Sequence, residues 1–93
     1  MIDNKALPTK EEIAKMSVAQ IARLIQRDWK KVYFGAVPYL DAMCSLHTDG
    51  EAFYNDSFSS ILRYFLGNAA AWRGDLAKIV KADLKARAAK AGY

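Results

Sequence analysis

Cys44 and His47 stand three residues apart, a spacing that brings a thiol and an imidazole onto one face of a helix. A thiol beside a base is the pattern of an activated nucleophile. No further polar group is evidently placed to orient the imidazole. A buried small thiol, with a histidine near a helix C-terminus where the dipole favours a cation, accounts for both residues. His47, Asp49, Glu51 and Asp56 bring nitrogen and oxygen donors together in one short stretch. A metal site needs three or four of them to converge, and the spacing of a calcium-binding loop is absent. A turn at Asp49-Gly50 and a helix cap at Asp56 explain the same residues without a metal. The chain also lacks Gly-x-Ser-x-Gly, a phosphate-binding glycine loop and His-Glu-x-x-His. The expectation is a protein that is not an enzyme, with no cofactor and no metal.

The aromatic residues offer a different chemistry. Neighbours on a helix or turn point about 100° apart, so a small bundle cannot readily bury both members of an adjacent pair. Tyr33-Phe34 and Phe53-Tyr54 are such pairs. An exposed aromatic patch is a surface for a protein partner or for a second copy of the chain. The competing reading is a core that wraps around two loops.

Charge is unevenly distributed. The net +4 resolves into +3 over residues 1–31, −4 over 32–62, +1 over 63–75 and +4 over 76–93. Residues 32–62 contain no lysine or arginine. On the first long helix Arg23, Arg27, Lys30 and Lys31 are expected opposite the apolar stripe. Lys78, Lys81 and Lys85 should hold the same position on the last. Two basic faces of this kind suit phosphate backbones, which makes nucleic-acid binding the alternative reading. Ordinary solvation of amphipathic helices uses the same residues. Asp83 and Arg87, at i and i+4, read as a local ion pair worth a few tenths of a kcal/mol.

The elements that must carry these groups follow from periodicity. Thr9 with Glu12, and Ser17 with Gln20, each have capping-box spacing, so one starts a short turn and the other the first long helix. From Val18 the apolar residues Ile21, Ala22, Ile25, Trp29 and Val32 keep a 3.6-residue period, and the helix is expected to end around 33–35. Pro38 suits the first turn of a second helix, which carries Tyr39, Leu40, Met43, Cys44 and Leu46 inward. After the 47–52 loop, Asn55 or Asp56 caps a third helix bearing Phe58, Ile61, Leu62, Phe65, Leu66 and Ala69, with its end between Gly67 and Gly74. Trp72, Leu76, Ile79, Val80 and Leu84 mark the last helix. No strand pattern is present. The fold class is therefore all-α, a compact four-helix bundle-like domain with a short extra helical turn before the first long helix.

A chain of 93 residues is one domain, read as a flexible arm over 1–8 followed by a helical domain over 9–93. A single cysteine rules out an internal disulfide framework. No uncharged run approaches the about 20 apolar residues of a membrane span. The first eight residues lack the apolar segment of a secretory signal. A cytoplasmic protein is the expectation.

The run Arg63-Tyr-Phe-Leu-Gly-Asn-Ala-Ala-Ala-Trp-Arg-Gly-Asp75, the later Lys81-Ala-Asp-Leu-Lys85 and the earlier Tyr33-Phe-Gly-Ala-Val-Pro-Tyr-Leu40 resemble a family of small uncharacterised helical proteins from bacteria and their phages. The resemblance spans about the last two-thirds of the chain. It implies a bacterial or prophage setting and brings no activity, ligand or site residues. Together these readings favour a non-enzymatic interaction protein, self-associating as a homodimer or docking on a protein partner. Its contacts are the exposed aromatics Tyr33, Phe34, Phe53 and Tyr54 beside the 47–56 loop.

Overall fold

Helix signals run through the chain with few breaks, and the computed structural model, which describes residues 7–48 and 57–92, is a small all-α bundle. Its helices are α1 (Lys10–Ala14), α2 (Val18–Asp28), α3 (Val37–Met43), α4 (Phe58–Gly67) and α5 (Asp75–Gly92), with one 3-10 turn, Phe34–Ala36, leading into α3. Among the described residues there is no strand. None of their helices is long and apolar enough to cross a membrane.

Both capping boxes form. The Thr9 hydroxyl accepts from the Glu12 N–H at 3.1 Å and the Glu12 carboxylate accepts from the Thr9 N–H at 2.8 Å. Ser17 and Gln20 repeat the exchange at 3.1 and 2.9 Å. Each box satisfies two N–H groups that the first turn cannot pair. The first starts the short α1 and the second starts α2.

Three sequence expectations are corrected. α2 does not run to 33–35: it ends at Asp28, and Trp29 adopts an extended conformation (φ −91°, ψ 92°) that turns its ring into the core. There Trp29 stacks on Trp72 at 6.0 Å between centroids and meets the edge of Phe65 at 6.3 Å. Aromatic packing across the bundle outweighs another turn of helix. α4 is capped by Ser57, whose hydroxyl accepts from the Ser60 N–H at 3.1 Å. Asn55 and Asp56, the residues expected there, lie outside the described residues. α3 is also short. It carries Pro38 in its first turn and ends at Met43.

The core is one cluster, with Ile13, Ile21, Ile25, Met43, Leu46, Leu62, Phe65, Val80 and Leu84 sealed from solvent. α4 packs along α5, and the buried Ser59 hydroxyl donates to the Ala88 carbonyl at 3.1 Å. α1 is held from the far end of the chain. Arg87, buried on α5, pairs through Nε with Asp83 at 2.7 Å and donates through Nη2 to the carbonyls of Ile13 at 2.9 Å and Ala14 at 3.2 Å. The last turn of α1 contains no basic residue, and this distant guanidinium adds a donor to the Ile13 carbonyl, which also accepts from the Met16 N–H at 3.0 Å. The expected Asp83–Arg87 ion pair is present, and Arg87 also makes it a tertiary pin to α1.

Candidate interaction surface

Trp29 sets the position of everything that follows it. With its ring locked in the core and Asp28 accepting from the Trp72 indole Nε1 at 2.8 Å, the chain emerges at Lys30 and reaches Tyr33 without helical structure. The Tyr33 carbonyl accepts from the Ala36 N–H at 2.8 Å, closing the 3-10 turn over a fully buried Ala36. Burying the alanine drives its neighbours outward. Phe34 is 79% exposed and Tyr33 46%, their rings 4.8 Å apart at 53°.

Gly35 lets this turn sit close to α4. A Cβ there would lie 2.6 Å from the Tyr33 ring and 2.6 Å from Asn68 Oδ1. Asn68 in turn donates through Nδ2 to the Tyr64 carbonyl at 2.8 Å, which closes the end of α4. Tyr33 shares a shallow cleft with Gly67, Asn68, Ala70 and Ala71. One turn back on α4, Tyr64 is half exposed and its ring lies 5.3 Å from that of Tyr39 on α3.

Five large hydrophobic residues are exposed among the described residues: Leu7, Tyr33, Phe34, Val37 and Tyr64. Four of them belong to the 3-10 turn, the start of α3 and the second half of α4. Scattered exposed apolar side chains are ordinary, whereas these four lie on neighbouring elements. Tyr33 and Phe34 are thus exposed, as the adjacent-pair argument expects. Phe53 and Tyr54 lie outside the described residues. Val37 and Tyr64 were not anticipated. The signal for Tyr64 was the same one, an aromatic pair (Tyr64-Phe65) of which the core takes one ring.

The basic set expected on the first long helix is divided by the end of α2, whereas Lys78, Lys81 and Lys85 all lie on α5. Arg23 and Arg27 are exposed on α2, but Lys30 and Lys31 fall beyond its end. Lys78 and Lys85 are exposed on α5. Lys81 folds back, donating to the Trp72 carbonyl with its Nζ 5.9 Å from the indole centroid. Burial, reinforced by nearby Arg73, pushes the Lys81 ammonium below its ordinary pKa.

The thiol–imidazole pair also loses its geometry. α3 ends at Met43, so Cys44 and His47 do not share a helical face. Cys44 is half-buried, and desolvation, with Asp41 adding to it, raises its pKa against the smaller opposing effects of Arg23 and Gln26. A thiol held in its neutral form is the reverse of an activated nucleophile. Of the other donors once grouped with His47, Asp49, Glu51 and Asp56 lie outside the described residues. Among the described residues no three His, Cys, Asp or Glu side chains converge on a metal-sized site.

No protein-family model, curated protein or solved structure matches the chain.

Proposed function

We propose that this chain is a non-enzymatic interaction protein that associates with a second copy of itself through the surface built by Tyr33, Phe34, Val37 and Tyr64. The observation that carries the reading is Phe34, a phenylalanine left 79% exposed by a turn whose alanine is fully buried. Burying such a ring contributes about 1.5–3 kcal/mol, and an isologous contact uses it twice. The turn is fixed by Gly35 and Ala36, so little ordering is lost on association. The division of the sequence into basic ends and an acidic middle suits pairing with another copy. A cytoplasmic location and a bacterial or prophage setting belong to the same proposal.

Nucleic-acid binding ranks second. It asks Arg23, Arg27, Lys30, Lys31, Lys78, Lys81 and Lys85 to act together, yet they divide among α2, the segment after it and α5.

Sedimentation equilibrium over a concentration series tests the first reading. The wild-type chain is expected to dimerise, and Phe34→Ser or Tyr64→Ser to sediment as monomers with unchanged helical circular dichroism. A wild-type chain that stays monomeric at high concentration overturns self-association.

A further inference from the structure

A second surface, separate from the aromatic one, lies between α4 and α5. An open groove of about 700 Å³ runs there, with Leu66 and Gly67 of α4 facing Ala82 and Ala89 of α5. Among the described residues its charged lining is Arg63, Lys81 and Lys85, with no carboxylate. Lys81 also borders a smaller cleft of about 330 Å³, where Trp72, Arg73, Asp75 and Lys78 form part of the lining.

The groove has the dimensions of a helix seat. From Lys81 to Ala89 it follows α5 for about 12 Å, or two helical turns. Its floor is made of small side chains, and a Cβ added to Gly67 would meet nothing within 4 Å. Small residues allow a third helix to approach at the short end of the 8–10 Å range of packed axes. Cations along an apolar floor call for an occupant with an apolar ridge flanked by carboxylates. Phosphate backbones fit less well. Nucleic-acid surfaces are predominantly polar, single strands stack on aromatic rings, and among the described residues no aromatic lines this groove.

We infer that the α4–α5 groove, rimmed by Arg63, Lys81 and Lys85, is a docking site for an acidic amphipathic helix of a partner protein. The site is independent of the self-association surface. Phe34→Ser leaves it intact, and Lys85→Glu leaves the aromatic surface intact.

The test uses a fluorescently labelled helical peptide of about 16 residues, with leucines at i, i+3, i+4 and i+7 flanked by glutamates. Anisotropy should show saturable binding that weakens as salt rises. Lys85→Glu should reduce affinity about tenfold, while Lys90→Glu, on the same helix but outside the lining, changes it less than about twofold. Ala89→Trp, which fills the groove at an exposed helix position, should also abolish binding. Amide NMR shifts should fall on Leu66, Gly67, Ala82 and Ala89. An absence of saturable binding overturns the inference, as do shifts centred on Phe34 and Tyr64. Tighter binding of a DNA duplex or single strand, lost in Lys85→Glu, reassigns the groove to phosphate backbones and overturns it as well.

Discussion

Trp72 and Asp28 are joined across 44 residues of sequence by a 2.8 Å bond from the indole Nε1 to the carboxylate. Asp28 is the last residue of α2, where the helix dipole disfavours an anion. The indole donor explains its presence there. Asp28→Ala and Trp72→Phe are each expected to lower stability by about 1.5–3 kcal/mol, the range for a bond to a charged group. Asp28→Asn, which keeps an acceptor and removes the unfavourable charge, should cost much less. Urea unfolding followed by tryptophan fluorescence distinguishes these outcomes, and equal losses in all three variants would refute the assignment.

Removing Arg87 should be far more damaging than its helical spacing with Asp83 suggests. Arg87→Met strands a largely buried carboxylate and takes the guanidinium from the Ile13 and Ala14 carbonyls, an expected loss of about 3–5 kcal/mol. Arg87→Lys cannot reproduce a fork that reaches Asp83 and α1 together. The double variant Arg87→Met/Asp83→Leu should recover part of the loss, because no charge is left unpaired. Chemical denaturation of wild type, Arg87→Met, Asp83→Leu and the double variant closes the cycle.

Gly35→Ala separates stability from association. The atoms its Cβ would strike are the ends of the Tyr33 and Asn68 side chains, which can move. The expected stability change is within about 1 kcal/mol. Displacing the Tyr33 ring should nevertheless weaken self-association severalfold in the sedimentation assay. Unaltered association would show that the ring's placement is immaterial.

Cys44 should alkylate slowly with iodoacetamide at neutral pH, and its reaction profile should be displaced upward from that of an ordinary thiol. The folded pKa is raised, so the folded state keeps this proton over a range where the unfolded chain has lost it. The resulting stabilisation is complete below the unfolded pKa and disappears as pH climbs through the folded one. Comparison of wild type with Cys44→Ala across the alkaline range isolates that slope. Labelling as rapid as a free thiol at neutral pH would contradict the shielded, neutral thiol.

Local signals in the sequence were sufficient for the helix starts. Thr9–Glu12 and Ser17–Gln20 are self-contained hydrogen-bond exchanges, and Pro38 needs only its own ring geometry. The end of α2 was not legible because Val32 continues the apolar period past Trp29. Only Phe65 and Trp72, far along the chain, decide that Trp29 leaves the helix. The Arg87 pin was hidden for the same reason, since its carbonyl partners have no side-chain signature. At the candidate surface, Tyr33 and Phe34 could be read from adjacency alone. Tyr64 required knowing which ring of its pair the core accepts.

The pin between Arg87 and Ile13 bridges 74 residues. A ribosome delivers α1 long before the guanidinium that will hold it. Until α5 is synthesised, the Ile13 side chain, fully buried in the finished bundle, has no α5 against which to pack. α1, like α4, therefore cannot complete its packing on a nascent chain until α5 is present.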